Sequence, residues 1–304
     1  MSEAVIQTED FTRRYGRTVA VDGLNLTVER GQIFGFLGRN GAGKTTTIKT
    51  LIGLLRPTSG SVRVLGLDPV KDGIELKKRI GYVPETPQLY PWMRVREMVR
   101  FTSQFYDNWN DTHVAELLRQ FGLEPERKVK NLSRGMGAQL ALVLAMGHEP
   151  ELLILDEPAT GLDVLVRRDF LESIVQVIQQ QGRTVMLSSH MVHEVERVAD
   201  RVGVIEGGKL LACEDTDTFK GRVKKALVRW SGEDDEALRR VDGVSQIEGS
   251  GDRRLVTVAG YSDEHREALQ ATGAQVVDVV DMSLEESFIE LVRPHARRQG
   301  ETQR

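Results

Sequence analysis

The sequence predicts an α/β fold built on a mainly parallel sheet, followed by a small α+β domain. Three observations carry this reading. Continuous apolar runs such as "QIFGFL", "ELLILDEP" and "TVMLSS" alternate with helical stretches, the pattern of strands buried on both faces. A glycine-rich loop, "GRNGAGKT", stands between the first of those runs and a helical one. Around Glu214 to Arg222 the pattern resets, and six segments then read strand, helix, strand, strand, helix, strand, an order that suggests a ferredoxin-like domain.

Taken in order, "AVIQTEDFTRRYGRTVAVDGLNLTVERG" alternates short β-rich runs with turn residues and reads as antiparallel strands. "QIFGFL" is a buried strand, and "TTTIKTLIGLL" is a helix that ends before Pro57. From about Val95 to Lys130 the pattern is helical and polar, which predicts a helical insert covering about residues 95–145 once "AQLALVLAM" is included. Two further buried strands follow, separated by the helix "VRRDFLESIVQVIQQQ". This first domain is assigned to residues 1–215 and the small one to 222–293. The helix "SLEESFIELV" closes the small domain, with Ser283 and Glu286 at capping-box spacing. The polar end, 294–304, is expected to be disordered.

The balance of charge narrows the partners. With 41 basic and 45 acidic residues among 304, and a formal net charge of −4, nothing in bulk calls for nucleic acid, and none is expected. The lone Cys213 has no internal partner and no CxxC spacing, which suits a reducing compartment. The start "MSEAVIQTED" lacks a basic-then-apolar leader, and no apolar run reaches the roughly 18 residues of a membrane span. Any membrane role is expected to come through a partner.

"GRNGAGKT" has Gly38, Gly43, Lys44 and Thr45 where a phosphate-binding loop needs them, between a strand and a helix. Backbone N–H groups of such a loop close around phosphate oxygens, Lys44 reaches the β- and γ-phosphates, and the Thr45 hydroxyl takes Mg²⁺. At the end of "LLILDEP", Asp156 is placed to hold Mg²⁺ through water, and Glu157 to accept a proton from an attacking water. His190 ends "TVMLSS", where it can orient the γ-phosphate or that water. In "NLSRGMGAQ", Ser133 is placed to cap a buried helix whose first turn favours a negative charge.

These motifs together resemble the nucleotide-binding subunit of an ABC transporter. The order is a P-loop, "GYVPETPQLY" at the Q-loop position, "LSRGM" at the signature position, "LLILDE", "ATGLD" at the D-loop position, and "SSH" with its switch histidine. The likeness covers about residues 4–215. It implies the P-loop ATPase cassette fold, with an antiparallel β subdomain and a helical subdomain, and an ATPase using ATP and Mg²⁺.

It further implies that two cassettes dimerise head to tail, as a homodimer or a heterodimer. Leu132, Ser133, Arg134 and Gly135 would then face ATP held by the partner's P-loop, Gly38 with Asn40 to Thr46: Asn40, Gly41, Ala42, Gly43, Lys44, Thr45 and Thr46. Tyr15 matches the aromatic that stacks on adenine, with a plain surface tyrosine as the other reading. Asp163 matches the D-loop acid that communicates across the dimer. The resemblance also implies a separate integral-membrane permease, and hence a place on the cytoplasmic face of the membrane.

Two positions depart from the family's pattern. Glu85 replaces the Q-loop glutamine; a carboxylate still ligates Mg²⁺ but adds charge near the phosphates, and Gln88 sits three residues late. Arg134 and Met136 occupy a glycine and a glutamine position of the signature, Arg134 being either a solvated charge or an added phosphate-side cation. "LYPWM" either walls a permease groove or packs the insert. These substitutions, with "FYDNWND" and "SLEESFIELV", suggest a bacterial exporter-type system. The competing function is a soluble ABC ATPase acting on nucleic acid or ribosomes. Such relatives usually carry two cassettes, a long coiled coil or a cysteine hook, features the sequence does not show.

Overall fold

A computed structural model describes residues 3–179, 183–232 and 234–302, apart from the side chains at 165, 169, 173, 175–179 and 294–302. The chain divides into two compact units, 1–213 and 214–304.

The first unit opens with β1 (Ala4–Tyr15) and β2 (Thr18–Glu29), an antiparallel hairpin whose inward residues alternate with exposed ones. Next come β3 (Ile33–Leu37) and α1 (Lys44–Leu51), joined by the glycine loop. β4 (Ser59–Val64) pairs with β1, giving a three-stranded sheet in the order β2-β1-β4. α1 is shorter than the helix expected from "TTTIKTLIGLL". Gly53, with φ of +75°, ends it, and Leu54 and Leu55 turn their N–H groups back to Lys49 O.

α2 (Gly73–Arg79) and β5 (Ile80–Val83) lead to the helical insert, formed by α3 (Val95–Ser103), α4 (Asp111–Gln120), a 3-10 turn at Val129–Asn131 and α5 (Arg134–Met146). Within "FYDNWND", Phe105 and Asp107 are exposed while Tyr106 stacks on Trp109 at 6.1 Å. Tyr106 stacks on the buried His148 ring at 3.9 Å, and His148 Nε2–H donates to Ile80 O at 2.9 Å.

The chain then alternates through β6 (Leu152–Asp156), α6 (Val164–Gln179), β7 (Thr184–Ser189), α7 (Val192–Glu196), β8 (Arg201–Glu206) and β9 (Lys209–Asp215). The resulting sheet has the order β5-β6-β7-β3-β8-β9, and every pair from β5 to β8 is parallel. All residues of β3, β6 and β7 are buried, which is why they read as continuous apolar runs. The register sets Leu37 beside Ser189 and Asp156 beside Ser188, so three strands end side by side. Open α/β sheets bind ligands outside the carboxyl ends of their strands.

The second unit contains α8 (Thr216–Gly221), β10 (Val223–Arg229), α9 (Glu236–Arg239), β11 (Val244–Glu248), β12 (Arg253–Ala259), α10 (Asp263–Ala271), β13 (Gln275–Asp281) and α11 (Leu284–Thr302). Its sheet has the order β11-β12-β10-β13 with antiparallel neighbours. Val228, Trp230, Leu238, Val256, Leu269 and Val276 belong to a core of its own. Ser283 and Glu286 form the capping box at the start of α11: Ser283 N–H donates to Glu286 Oε2 at 3.0 Å and Glu286 N–H to Ser283 Oγ at 3.2 Å. The backbone of α11 is traced through the stretch from Pro294 that was expected to be disordered. Its side chains there, and residues 303–304, lie outside the described residues.

Candidate nucleotide site

The loop after β3 rises from buried Gly38 over an exposed crest of Arg39, Asn40 and Gly41, then descends through buried Ala42 into α1. Gly43, the residue before α1, has φ of +115°, and a Cβ there would meet Ala20 O at 2.6 Å. Among the described residues no side chain caps α1, so its first N–H groups stay available to an anion. Thr45 and Thr46 sit half-buried on that first turn.

Lys44 is 5% exposed and points back under the loop, donating to Gly38 O at 2.6 Å. Its Nζ is also 3.0 Å from Glu157 Oε1. The other Glu157 oxygen accepts from His190 Nδ1 at 2.6 Å and from the Thr160 hydroxyl at 3.2 Å. Lys44, Glu157 and His190 therefore form one run of contacts across the ends of β3, β6 and β7. Glu157 has φ of +50°, a left-handed conformation that costs a non-glycine residue about 1–3 kcal/mol. Its N–H is held by Ser188 Oγ at 3.0 Å.

The same Ser188 hydroxyl donates to Asp156 Oδ1 at 2.8 Å, and Thr45 Oγ1 donates to that oxygen at 3.4 Å. Burial pushes the Asp156 carboxyl above its ordinary value. The Ser188 and Thr45 hydroxyls oppose this, while the charges of Glu157 and Glu85 add to it. For Glu157, burial also pushes upward, but the Lys44 charge and the His190 bond outweigh it and hold the carboxyl below its usual range. A carboxylate poised this way is ionised at neutral pH and able to accept a proton.

A hydroxyl and a buried carboxylate side by side at a helix start fit Mg²⁺, a hard ion that keeps water and phosphate ligands. Among the described residues, no three His, Cys, Asp or Glu side chains gather closely enough to cage a metal alone. Glu85 is exposed and lines a separate cavity of about 340 Å³ with Arg134 and Thr160. It reaches Asp156 through its charge.

The signature residues are engaged locally. Ser133 is exposed and caps α5, its Oγ accepting from Met136 N–H at 3.2 Å. Leu132 is half-buried beside it, and Gly135 is buried against α6, where a Cβ would lie 2.3 Å from Val166 Cγ1. Arg134 is exposed and turns toward the D-loop of its own chain, donating to Gly161 O at 3.1 Å. Asp163 caps α6, accepting from Val166 N–H at 3.0 Å. Tyr15 is 45% exposed at the end of β1, with the Arg13 guanidinium 4.7 Å from its ring centre.

Sequence reasoning passed over Ser188 and Thr160. Ser188 was within reach, since Asp156 and Ser188 end neighbouring strands and are register partners. Thr160 gave no signal beyond its place in "ATGLD".

Strand, glycine loop, helix, a strand-end acid pair and a histidine just past the next strand define a P-loop ATPase. A family model described as "ABC transporter" matches residues 21–160. The chain is 34% identical to the bacitracin transport ATP-binding protein BcrA of Bacillus licheniformis, over 95% of this chain and 97% of that one. It is 36% identical to the linearmycin resistance ATP-binding protein LnrL of Bacillus subtilis, over 68% of each. A solved ATP-binding subunit of an ABC transporter superposes with a TM-score of 0.64 at 29% identity, covering 71% of this chain and 92% of that one. The chain belongs to the ATP-binding subunits of ABC transporters, which are ATPases. Among the described residues, no helix is long and apolar enough to cross a membrane.

Proposed function

We propose that this chain is the motor of an exporter: two copies close head to tail around two Mg²⁺-ATP, and hydrolysis reopens them to drive a separately encoded permease. The observation that carries this reading is the run Lys44–Glu157–His190 beside the Asp156–Thr45 pair. Lys44 is paired with Glu157 in the structure. A γ-phosphate competes for Lys44, since charge-assisted bonds to phosphate are about twice as strong as neutral ones. Glu157 then keeps His190 as its partner and can accept the proton of a water attacking the phosphorus. Thr45 and Asp156 would hold Mg²⁺, which neutralises charge on the phosphate oxygens. In the closed dimer Ser133 and the N-terminus of α5 face the partner's γ-phosphate, Asp163 lies at the interface, and Tyr15 offers a face to adenine. Glu85, whose charge is felt at Asp156, is the candidate for an outer ligand of the metal.

Relatives named for bacitracin transport and linearmycin resistance support export, and with it a position on the cytoplasmic face of a membrane. A largely apolar groove of about 450 Å³, lined by Leu54, Tyr82, Gln88, Leu89, Tyr106 and Leu144, supports the seat of a short permease helix. Of "LYPWM", Leu89 faces that groove, while Tyr90 and Trp92 pack on each other at 5.0 Å and stay exposed.

Two measurements test the reading. Glu157→Gln should retain ATP binding and lose hydrolysis by about 10²–10⁴. Mixing Lys44→Ala with Ser133→Arg subunits leaves one intact composite site in each mixed dimer, so ATPase absent from either variant alone should return. No recovery at any mixing ratio would sink the head-to-tail arrangement.

A further inference from the structure

The switch histidine is held from behind as well as from the catalytic side. Ser189, the residue before it, is 2% exposed, and its hydroxyl lies 3.2 Å from Glu194 Oε2 on α7. Glu194 is 5% exposed, and its Oε1 is 3.1 Å from Arg167 Nε on α6. The same guanidinium donates through Nη2 to Leu162 O at 2.9 Å. One side chain thus fastens the D-loop backbone and, through a buried carboxylate, the turn that carries His190. The neighbouring D-loop carbonyl, Gly161 O, is fastened by Arg134 from the signature helix. The contacts run unbroken from the signature to Glu157.

We propose that Arg167, acting with Glu194, is a positioning residue for hydrolysis: it fixes the His190 turn relative to the D-loop, so that movement at the signature end reaches Glu157. This rests on Glu157 and His190 being the hydrolytic pair. Two physical points favour positioning over simple stabilisation. A buried ion pair gains little net stability, because desolvation offsets much of the attraction. Burial indeed pushes the Glu194 carboxyl above its ordinary value, against the pull of Arg167 and Ser189. The second point is direction: the Arg167 guanidinium also donates to a loop carbonyl, Leu162 O, which joins two functional segments.

Steady-state ATPase and thermal unfolding of the full chain separate the two roles. Arg167→Ala leaves Glu194 buried without its cation and is expected to lower Tm as well as activity, so it cannot decide alone. The double variant Arg167→Met, Glu194→Met removes both charges and keeps the volume, a replacement that is often neutral or stabilising. Its Tm should match wild type or exceed it. Its kcat should stay about tenfold low with KM for ATP within about twofold, since a coupling of this size is common for residues acting as a unit. Recovery of wild-type kcat along with Tm would overturn the proposal and leave the pair a structural one. Glu157→Gln run in parallel tests the underlying reading: a variant hydrolysing at the wild-type rate would remove the pair that Arg167 is said to position, whatever the double variant does.

Discussion

His148 shows what one buried side chain contributes. Its ring is fully buried, stacked on Tyr106, and donates to Ile80 O. Burial holds its pKa below the ordinary 6.5, against the raising effect of that bond, and burial does the same to His113. Both rings bind protons more readily in the unfolded chain. Stability is therefore whole above pH 6.5 and declines as pH falls from there toward the folded values. His148→Phe keeps the stack on Tyr106 and removes one of the two titrations. At pH 7.5 it should cost about 1–3 kcal/mol, because Ile80 O loses its donor. Below pH 6.5 its stability should fall less steeply than wild type. Denaturant melts from pH 5 to 7.5 would show this, and an unchanged slope would count against His148 as a source. Nothing in the sequence marked this histidine, whereas Lys44, Asp156 and Glu157 were legible from strand context and spacing alone. The difference is physical: the site groups sit at strand ends, which the apolar runs locate, while His148 is defined by stacking on a residue far back in the chain.

At the scale of elements, the signature helix α5 and helix α6 are spaced by Gly135. A Cβ there would lie 2.3 Å from Val166 Cγ1, and a branched side chain cannot swing clear as a long one could. Two opposing terms then decide Gly135→Ala. Helix propensity favours alanine by about 1 kcal/mol, and overpacking costs about 1–3 kcal/mol. The clash should win, giving a net loss of about 1 kcal/mol. In a Val166→Ala background the same substitution should become neutral or stabilising, and this reversal of sign, read by urea unfolding, is the test. Equal effects in both backgrounds would show that Val166 is not the obstacle. Element types were largely legible, because apolar strands and amphipathic helices have different periods. What was not legible was close approach. "LSRGM" in sequence says nothing of Arg134 bonding to Gly161 O, or of Gly135 lying against Val166, since both contacts are made across the fold.

At the scale of the whole molecule, the chain carries a second unit with a separate core, and that unit's independence can be measured. Trp230 is 6% exposed in this core and donates Nε1–H to Asp234 O at 3.1 Å. The other two tryptophans, Trp92 and Trp109, lie in the first unit, so Trp230 alone reports on residues 214–304 when these are produced by themselves. They should unfold in urea as one cooperative transition, with a red shift of Trp230 emission and a slope of about 1 kcal/mol per molar urea. The capping box then gives the same fragment a pH signature. The Lys225 hydrogen bond, helped by the Ser283 N–H, holds the Glu286 carboxyl below its ordinary value. A carboxylate depressed in this way adds stability above its unfolded pKa near 4.5 and loses it as pH falls through the folded value. Glu286→Gln should therefore lower the urea midpoint at pH 7, and the gap to wild type should close as the solution is acidified below pH 4. A gap that persisted in acid would mean that packing or amide geometry, and not the charge of Glu286, sets the strength of this helix start.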